Sequence, residues 1–388
     1  MSAWGLYVHI PFCQARCTYC DFNTVTGMSA DDHRRYRDAL IREWEGELLV
    51  DGPLVSIFFG GGTPSLVDAS HLTAVVEAVD RRVGGLSETV EITVETNPGT
   101  VTPKKLRSLI QGGVNRLSIG AQALQNHHLL ALNRIHNVDA IKETVAMARA
   151  EGFRNISLDA IYGLPSQTLQ EWQETVDGLL MLKPDHLSLY ALMVEGGTPL
   201  KNQLDRGEKT LPDGDLTADM ADWAEGRLTE AGLLPYEISN FARPGHESRH
   251  NRLYWQLEPY LALGAGAHAY CSGHRWWNVR GVRRYMEFLE AGQDPMDQEE
   301  WLDPIEEMRE YLWLGLRQRK GVSPRAFVDR FGVDPREAFG GVWEAVAREG
   351  LVALDEGRIQ LTRRGRDLAN LVARALVDAP IEVHMPHS

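Results

Sequence analysis

Three cysteines stand within eight residues of one another near the start of the chain, as Cys13-x3-Cys17-x2-Cys20. Three thiols on one short loop read as metal ligands rather than as halves of disulfides. Two metal centres fit the trio. A structural zinc ion would need a fourth ligand, which His9 or Cys271 could supply, because the chain has no second cysteine pair. A [4Fe–4S] cluster would take the three thiolates and leave its fourth iron open to an exogenous ligand. Downstream, Gly60-Gly61-Gly62-Thr63-Pro64-Ser65 lets backbone approach a small ligand with no Cβ in the way. An amino acid that chelates iron through its amine and carboxylate would suit both features. A side chain added at Gly61 is expected to block that approach without disturbing the thiolates.

These residues must be held by regular elements, and the pattern from residue 5 to about 200 supplies them. Strands are expected at Gly5–Ile10, Leu54–Phe59, Val90–Glu95, Arg116–Gly120, Ile156–Ile161 and His186–Leu192. Each reads as near-continuously apolar, as in a parallel strand covered on both faces. Helical patterns lie between them at Asp31–Val50, Leu72–Val83, Pro103–Gln111, Val138–Ala150 and Leu169–Leu182. Thr102 is the expected N-cap of the third, with Pro103 at its first position. Strand and helix in alternation make a (β/α)6 barrel or an open doubly wound sheet, and both place their ligand at the carboxyl ends of the strands. Those ends carry the cysteine loop, the glycine loop, Glu95-Thr96-Asn97-Pro98, Gly120-Ala121-Gln122 and Asp159 to Pro165. Polar and glycine-rich residues at five successive strand ends describe one site.

The 388 residues suggest two or three domains, and 43% hydrophobic with 24% charged residues is the balance of a globular chain. A net charge of −14 disfavours nucleic acid as a partner. No apolar run reaches a membrane span, and the start lacks the basic region of a signal peptide, so the expected location is the cytoplasm. The expected domains are a barrel core over 1–200, an aromatic and histidine-rich accessory region over 201–300, and a winged-helix-like domain over 301–388. In the last, helices precede a hairpin around Asp355-Glu356-Gly357 and a final helix over Thr362–Leu376. Acidic and basic residues nearly balance there, so protein contact fits it better than DNA binding.

Tyr7-Val8-His9-Ile10-Pro11-Phe12-Cys13 with the following cysteines, and then Gly60–Ser65, resembles the radical S-adenosylmethionine (SAM) superfamily. Within it the chain is similar to the oxygen-independent coproporphyrinogen oxidase-like group. The resemblance implies a partial (β/α)6 radical SAM barrel, followed by a C-terminal mixed region and the small winged-helix-like domain. It implies a [4Fe–4S] cluster on Cys13, Cys17 and Cys20 that, when reduced, cleaves SAM to methionine and a 5′-deoxyadenosyl radical. Tyr7 and Tyr19 resemble positions that flank the cluster and contact SAM. Gly61, Gly62 and Thr63 resemble the loop that receives its methionyl end, and Glu95 a strand-end acid that accepts hydrogen bonds from SAM or, alternatively, caps the next helix. Gln122, Arg134 and Asp159 are similar to residues that hold a second SAM in the decarboxylating oxidase.

Two departures point away from decarboxylation. The oxidase continues its motif with a further cysteine where this chain has Phe22, and it carries an N-terminal extension. Arg249-His250-Asn251-Arg252-Leu253-Tyr254-Trp255 resembles a His-Asn-x-x-Tyr-Trp motif that marks a heme-chaperone branch of the group. That branch implies heme as cargo, with His250 as a heme ligand, and heme-acceptor proteins as partners, membrane-associated respiratory proteins among them. His268 and Cys271 are further possible ligands, although Cys271 reads first as a buried, inert thiol. A radical SAM enzyme acting on a porphyrin and a zinc-containing structural or regulatory protein are the competing functions.

Overall fold

Six parallel strands lie side by side in chain order in the computed structural model, which describes residues 2–355 and 357–379. Met1, Glu356 of the hairpin turn and positions 380–388 of the C-terminal region lie outside the described residues. The strands are β1 (Trp4–Ile10), β2 (Leu54–Gly61), β3 (Glu91–Thr96), β4 (Arg116–Gln122), β5 (Asn155–Tyr162) and β6 (His186–Ala191). A doubly wound sheet would reverse its strand order at a switch point. Here the order 1-2-3-4-5-6 never reverses, so the arrangement is the barrel type. It is a partial barrel, because β1 and β6 each pair outward with other strands rather than with one another.

The helices that return the chain are α1 (Ala30–Gly46), α2 (Ala69–Val83), α3 (Pro103–Gln111), α4 (Asn126–Ala131), α5 (Val138–Glu151) and α6 (Leu169–Met181). Their ends follow local chemistry. The Thr102 hydroxyl accepts from Lys105 N–H ahead of Pro103, and α2 and α5 stop at Gly84 and Gly152 in the left-handed region. α1 packs on α2, α2 on α3 and α3 on α5, making a continuous outer layer. Leu6, Val8, Ile57, Phe59, Val94, Leu117, Ile119 and Leu158 are buried beneath that layer.

The strands are two-faced, which corrects the expectation of continuous apolar runs. Alternate positions point into the barrel, and these carry Ser56, Glu91, Thr93, Arg116, Ser118, Ser157, His186 and Ser188, all buried. The period-2 alternation is present in segments such as Arg116-Leu117-Ser118-Ile119. Small hydroxyls fill a barrel lumen without blocking it.

After α7 (Pro199–Asp205) and α8 (Gly214–Glu230), the aromatic and histidine-rich region adds strands to both sheet edges. β7 (Leu234–Pro235) and β8 (Asn240–Ala242) extend the sheet beyond β6. α9 (Arg249–Trp255) follows. β9 (Tyr260–Leu263) then pairs parallel with β1, and β10 (His268–Cys271), β11 (His274–Asn278) and β12 (Met296–Trp301) continue the sheet antiparallel, with α10 (Val282–Glu290) between the last two. A second, separate core is built on Leu312, Phe327, Phe339 and Trp343, among α11 (Pro304–Leu316), α12 (Pro324–Phe331), α13 (Pro335–Ala338) and α14 (Gly340–Arg348). The hairpin strands β13 (Val352–Leu354) and β14 (Ile359–Leu361) pair antiparallel there, and the final helix is broken into α15 (Arg363–Asp367) and α16 (Ala369–Val377).

Candidate functional site

The carboxyl ends of the six strands open into one cavity of about 650 Å³. The expected cluster and SAM residues line it, Cys13, Cys17 and Cys20, then Tyr7, Tyr19, Gly61, Gly62, Thr63, Glu95, Gln122, Arg134 and Asp159, and so does His250, whereas His9, His268 and Cys271 do not. Phe22 stands at the mouth, 63% exposed.

The cysteine loop is anchored along its length. Cys13 N–H donates to Val25 O at 2.9 Å, and Val25 N–H donates to Pro11 O at 2.8 Å. In its middle, Thr18 N–H donates to Leu132 O at 3.1 Å and Asn133 Nδ2 donates to Arg16 O at 2.8 Å. Asn23 ties the far end, donating to Ala265 O and Arg280 O at 2.9 Å, while its own carbonyl lies 2.8 Å from His9 Nε2. All three thiols are half-buried, and burial raises the pKa of Cys13 and Cys20. Thr63 Oγ1 lies 3.7 Å from Cys13 Sγ, and Arg134 Nη1 donates to Cys17 Sγ at 3.3 Å. Arg134 also donates to Asn97 Oδ1 and Gly120 O, so in this structure its guanidinium faces the thiol loop.

The glycine loop is packed against that same loop. A Cβ on Gly61 would lie 2.5 Å from the His9 ring, and its φ of +112° already excludes most side chains. A Cβ on Gly62 would meet Pro11 and Phe12 backbone at 2.8 Å. The expectation that a side chain at Gly61 would spare the cluster loop is therefore corrected: His9, which it would displace, holds Asn23 of that loop. Gly61 N–H donates to Glu95 Oε2 at 3.1 Å. Glu95 does not cap the next helix, because Thr102 does.

Glu95 is half-buried yet sits deep in the lumen, and its carboxyl is pushed up to about 8, first by desolvation and then by Asp159. Burial also raises Asp159, against the opposing pull of serine hydroxyls and Arg116. Ser118 Oγ reaches its two oxygens at 3.2 and 2.9 Å, and Ser157 Oγ donates at 3.2 Å. Two carboxyls in one lumen with raised pKa values make a site that favours a cationic ligand. Gln122 holds a φ of +66° beside a strand irregularity at the end of β4, an unusual backbone state for a non-glycine residue that stands at this cavity. Tyr7 OH lies 3.0 Å from His9 Nδ1, and burial raises the pKa of Tyr7 and Tyr19.

α9 closes the bottom of the lumen and explains the aromatic motif locally. Ser248 caps the helix, and the Glu91 carboxylate accepts from Arg249 N–H at 3.2 Å and His250 N–H at 3.3 Å. His250 is 1% exposed, with Nδ1 2.9 Å from Ser56 Oγ and Nε2 2.8 Å from Tyr254 OH. Burial and Arg116 push its pKa down to about 3, so the ring is neutral. Both ring nitrogens are engaged, and in this structure neither is free for a heme iron. Trp255 stacks under the Arg317 guanidinium at 4.5 Å. His268 is exposed and stacked on Trp277 at 5.2 Å. Cys271 is half-exposed rather than buried, because it borders the β10–β11 turn.

Sequence reasoning passed over Arg116, named Asn97 only as part of a strand-end loop, and considered His9 only as a fourth zinc ligand. Arg116 is 2% exposed, lies 4.0 Å from Glu91, and its Nε has no hydrogen-bond partner. Its signal was a charge at an inward position of an alternating strand. Asn97 links the two loops, donating to Thr63 Oγ1 at 2.9 Å while accepting from Arg134.

The pattern of the radical SAM superfamily matches residues 7–179, and that of the HemN C-terminal domain matches residues 302–368. The chain is 35% identical to the heme chaperone HemW of Bacillus subtilis, over 96% of this chain and 98% of that protein. It is 37% identical to HemW of Mycobacterium tuberculosis strain H37Rv, over 96% and 95%. The zebrafish (Danio rerio) mitochondrial radical S-adenosyl methionine domain-containing protein 1 is 35% identical, over 82% of this chain and 74% of that protein. Among solved structures, coproporphyrinogen III oxidase HemN of Escherichia coli, a radical SAM enzyme, superposes with a TM-score of 0.83 at 23% identity, covering 97% of this chain and 90% of that one. At that identity the likeness carries the fold alone.

Proposed function

Since the chain belongs to the radical SAM superfamily, and within it to the HemW heme-chaperone family, we propose that it binds heme and hands it to acceptor proteins on a radical SAM scaffold. The observation that carries this reading is the match to HemW proteins along almost the entire chain. Phe22, where the oxidase motif has a further cysteine, agrees with it. No helix among the described residues is long and apolar enough to cross a membrane, so delivery to a membrane-associated respiratory acceptor would proceed by docking.

The barrel residues fit the two groups the superfamily uses. Cys13, Cys17 and Cys20 are the donors for a [4Fe–4S] cluster, and cluster binding removes the protons that burial favours on Cys13 and Cys20. Arg134 adds a positive charge beside Cys17 and, through Asn97, keeps Thr63 in place near Cys13. SAM carries a sulfonium, a cation that the half-buried pair Glu95 and Asp159 would favour, while its amine would chelate the open iron as a neutral donor. Gly61 N–H orients Glu95, and serine hydroxyls orient Asp159. When bound and reduced, the cluster would supply an electron to the sulfonium of SAM. Arg116 and the α9 plug keep the closed end of the lumen polar yet shielded from solvent.

The test is a titration of anaerobically reconstituted protein with hemin, beside an assay for coproporphyrinogen III conversion with SAM and reductant. The reading expects one saturable heme per chain and no vinyl-group formation. Robust vinyl formation without saturable heme binding would replace the chaperone with the oxidase.

A further inference from the structure

Three metal-ligating side chains meet outside the barrel cavity, between α4 and α6. His127 and His128 are consecutive on α4, and Glu171 is the third residue of α6. His127 Nε2 lies 3.1 Å from Glu171 Oε1, and His128 Nε2 lies 3.5 Å from Oε2, so the two rings bracket one carboxylate. Three donor atoms, one from each residue, fall within 4.8 Å of one another. Tetrahedral zinc with bonds of ~2.0–2.1 Å sets its donors about 3.3 Å apart. The observed spacing therefore admits such an ion with only small side-chain adjustments.

An ion pair alone does not account for this arrangement. Consecutive helical residues point about 100° apart, yet these two rings converge, with centroids 4.1 Å apart. His128 is 3% exposed, and its Nε2, turned toward Glu171, has no hydrogen-bond partner. A buried ring nitrogen left in that state calls for a further partner. Glu171 is held from behind, because its Oε2 accepts from Thr168 N–H at 2.9 Å and from Thr168 Oγ1 at 3.0 Å. Supporting hydrogen bonds of this kind orient the carboxylates that ligate metals. The His127 side chain is 64% exposed and leaves the cluster open to solvent, which provides a path of entry.

We propose that His127, His128 and Glu171 form a binding site for zinc or a similar first-row divalent cation, with water in the fourth position. Two imidazoles and a carboxylate suit zinc, whereas magnesium and calcium prefer oxygen and would find a single carboxylate. Three protein ligands on an exposed side make an open site, so the ion exchanges with solvent. Its place in the fold gives the ion a structural effect. α4 runs into Leu132, Asn133 and Arg134, which hold the cysteine loop at Thr18, Arg16 and Cys17. α6 is fixed in the core by Trp172, which is fully buried. Gln125 already bridges the two, donating to Glu171 O at 2.9 Å and accepting from Thr175 Oγ1 at 2.9 Å. A bound ion adds a second tie from α6 to α4 and so braces the cysteine loop from behind. The site uses no residue of the barrel cavity and does not rest on the heme-chaperone reading.

The test is a calorimetric titration of full-length, cluster-reconstituted and desalted protein with zinc chloride, beside its His127→Gln and His128→Gln variants. The cluster absorbance is followed throughout, so that any uptake of zinc by the thiols is seen and each variant is shown to be folded. His127→Gln is the decisive variant, because that exposed side chain contributes little to folding. Wild type should bind one zinc per chain that both variants bind roughly tenfold more weakly or worse, since disturbing even the supporting shell of a metal costs ~10–100-fold. Zinc should also raise the melting temperature of wild type and not that of the variants, because an ion that binds only the folded chain stabilises it. Equal stoichiometry and affinity in wild type and His127→Gln would overturn the site and leave the histidine–glutamate contacts as ion pairs. Wild type that takes up no zinc would overturn it too, as would displacement of the zinc by excess magnesium, which imidazole ligation does not allow.

Discussion

Glu95 gives SAM binding a pH dependence whose size follows from the structure. Its carboxyl sits at about 8 because it is desolvated in the lumen with Asp159 nearby, and Gly61 N–H and Arg116 only partly offset this. The two acids share one lumen, so the titration belongs to the pair. A bound cation favours the carboxylate, so the affinity for SAM should fall as pH drops below 8 and the free site becomes protonated. At pH 7.5 about a quarter of the sites are ionised and at pH 6.0 about one in a hundred, a ratio of about 25, or ~1.9 kcal/mol. The α-amine of free SAM titrates near ~7.8 as other α-amines do, so about a third of it is unprotonated at pH 7.5, and the slope left in Glu95→Gln measures that contribution. Isothermal titration calorimetry of reconstituted protein at pH 6.0 and 7.5 measures the ratio. Glu95→Gln should bind weakly and lose the part of the pH dependence that belongs to the carboxyl. Asp159→Asn should move the fall in affinity to lower pH, because removing that charge lowers Glu95. Wild-type affinity constant within twofold, or the full wild-type slope surviving in Glu95→Gln, would refute the reasoning.

Further outcomes follow from the same geometry. Cys17→Ala should lose most iron and sulfide on anaerobic reconstitution yet keep its circular dichroism, because Thr18 and Asn23 anchor the loop without the thiol; four irons retained per chain would dismiss the assignment. Gly61→Ala should reduce cluster content and SAM affinity together, since its Cβ displaces His9 and with it Asn23; loss of SAM affinity at full iron content would show that the two loops are independent. His250→Phe strands the hydroxyls of Ser56 and Tyr254 and should cost about 3 kcal/mol in denaturant unfolding. The bound-heme spectrum of that variant should not change, and a changed spectrum would restore His250 as an axial ligand.

The parallel core was legible because its signals are local. Pro103–Gln111 begins and ends where Thr102, Pro103 and Gly112 dictate, and the six strands fall within a few residues of their expected bounds. The barrel lumen was not read, because the small hydroxyls at inward positions were taken as part of apolar runs, so Arg116 passed as a strand start. The outer strands were missed for a different reason. Segments such as Met296–Trp301 become strands only by pairing with partners far along the chain, and all six of its residues are exposed. The cavity residues were named from motif resemblance, and the structure brings them together. Roles that depend on packing did not follow from the motif. His250 could be read as a ligand until Ser56, almost 200 positions away, was seen against its ring. Cys271 could be read as buried until its turn placed it at a hairpin tip.

Heme transfer tests the central claim most directly. The reconstituted chain, loaded with one equivalent of hemin, is mixed with a heme-free b-type cytochrome in excess, and the cytochrome's own spectrum is followed in time. The account predicts that nearly all of the heme moves to the acceptor, faster than from an albumin loaded with the same amount. Heme that stays on the chain, or that moves no faster than from albumin, would contradict it.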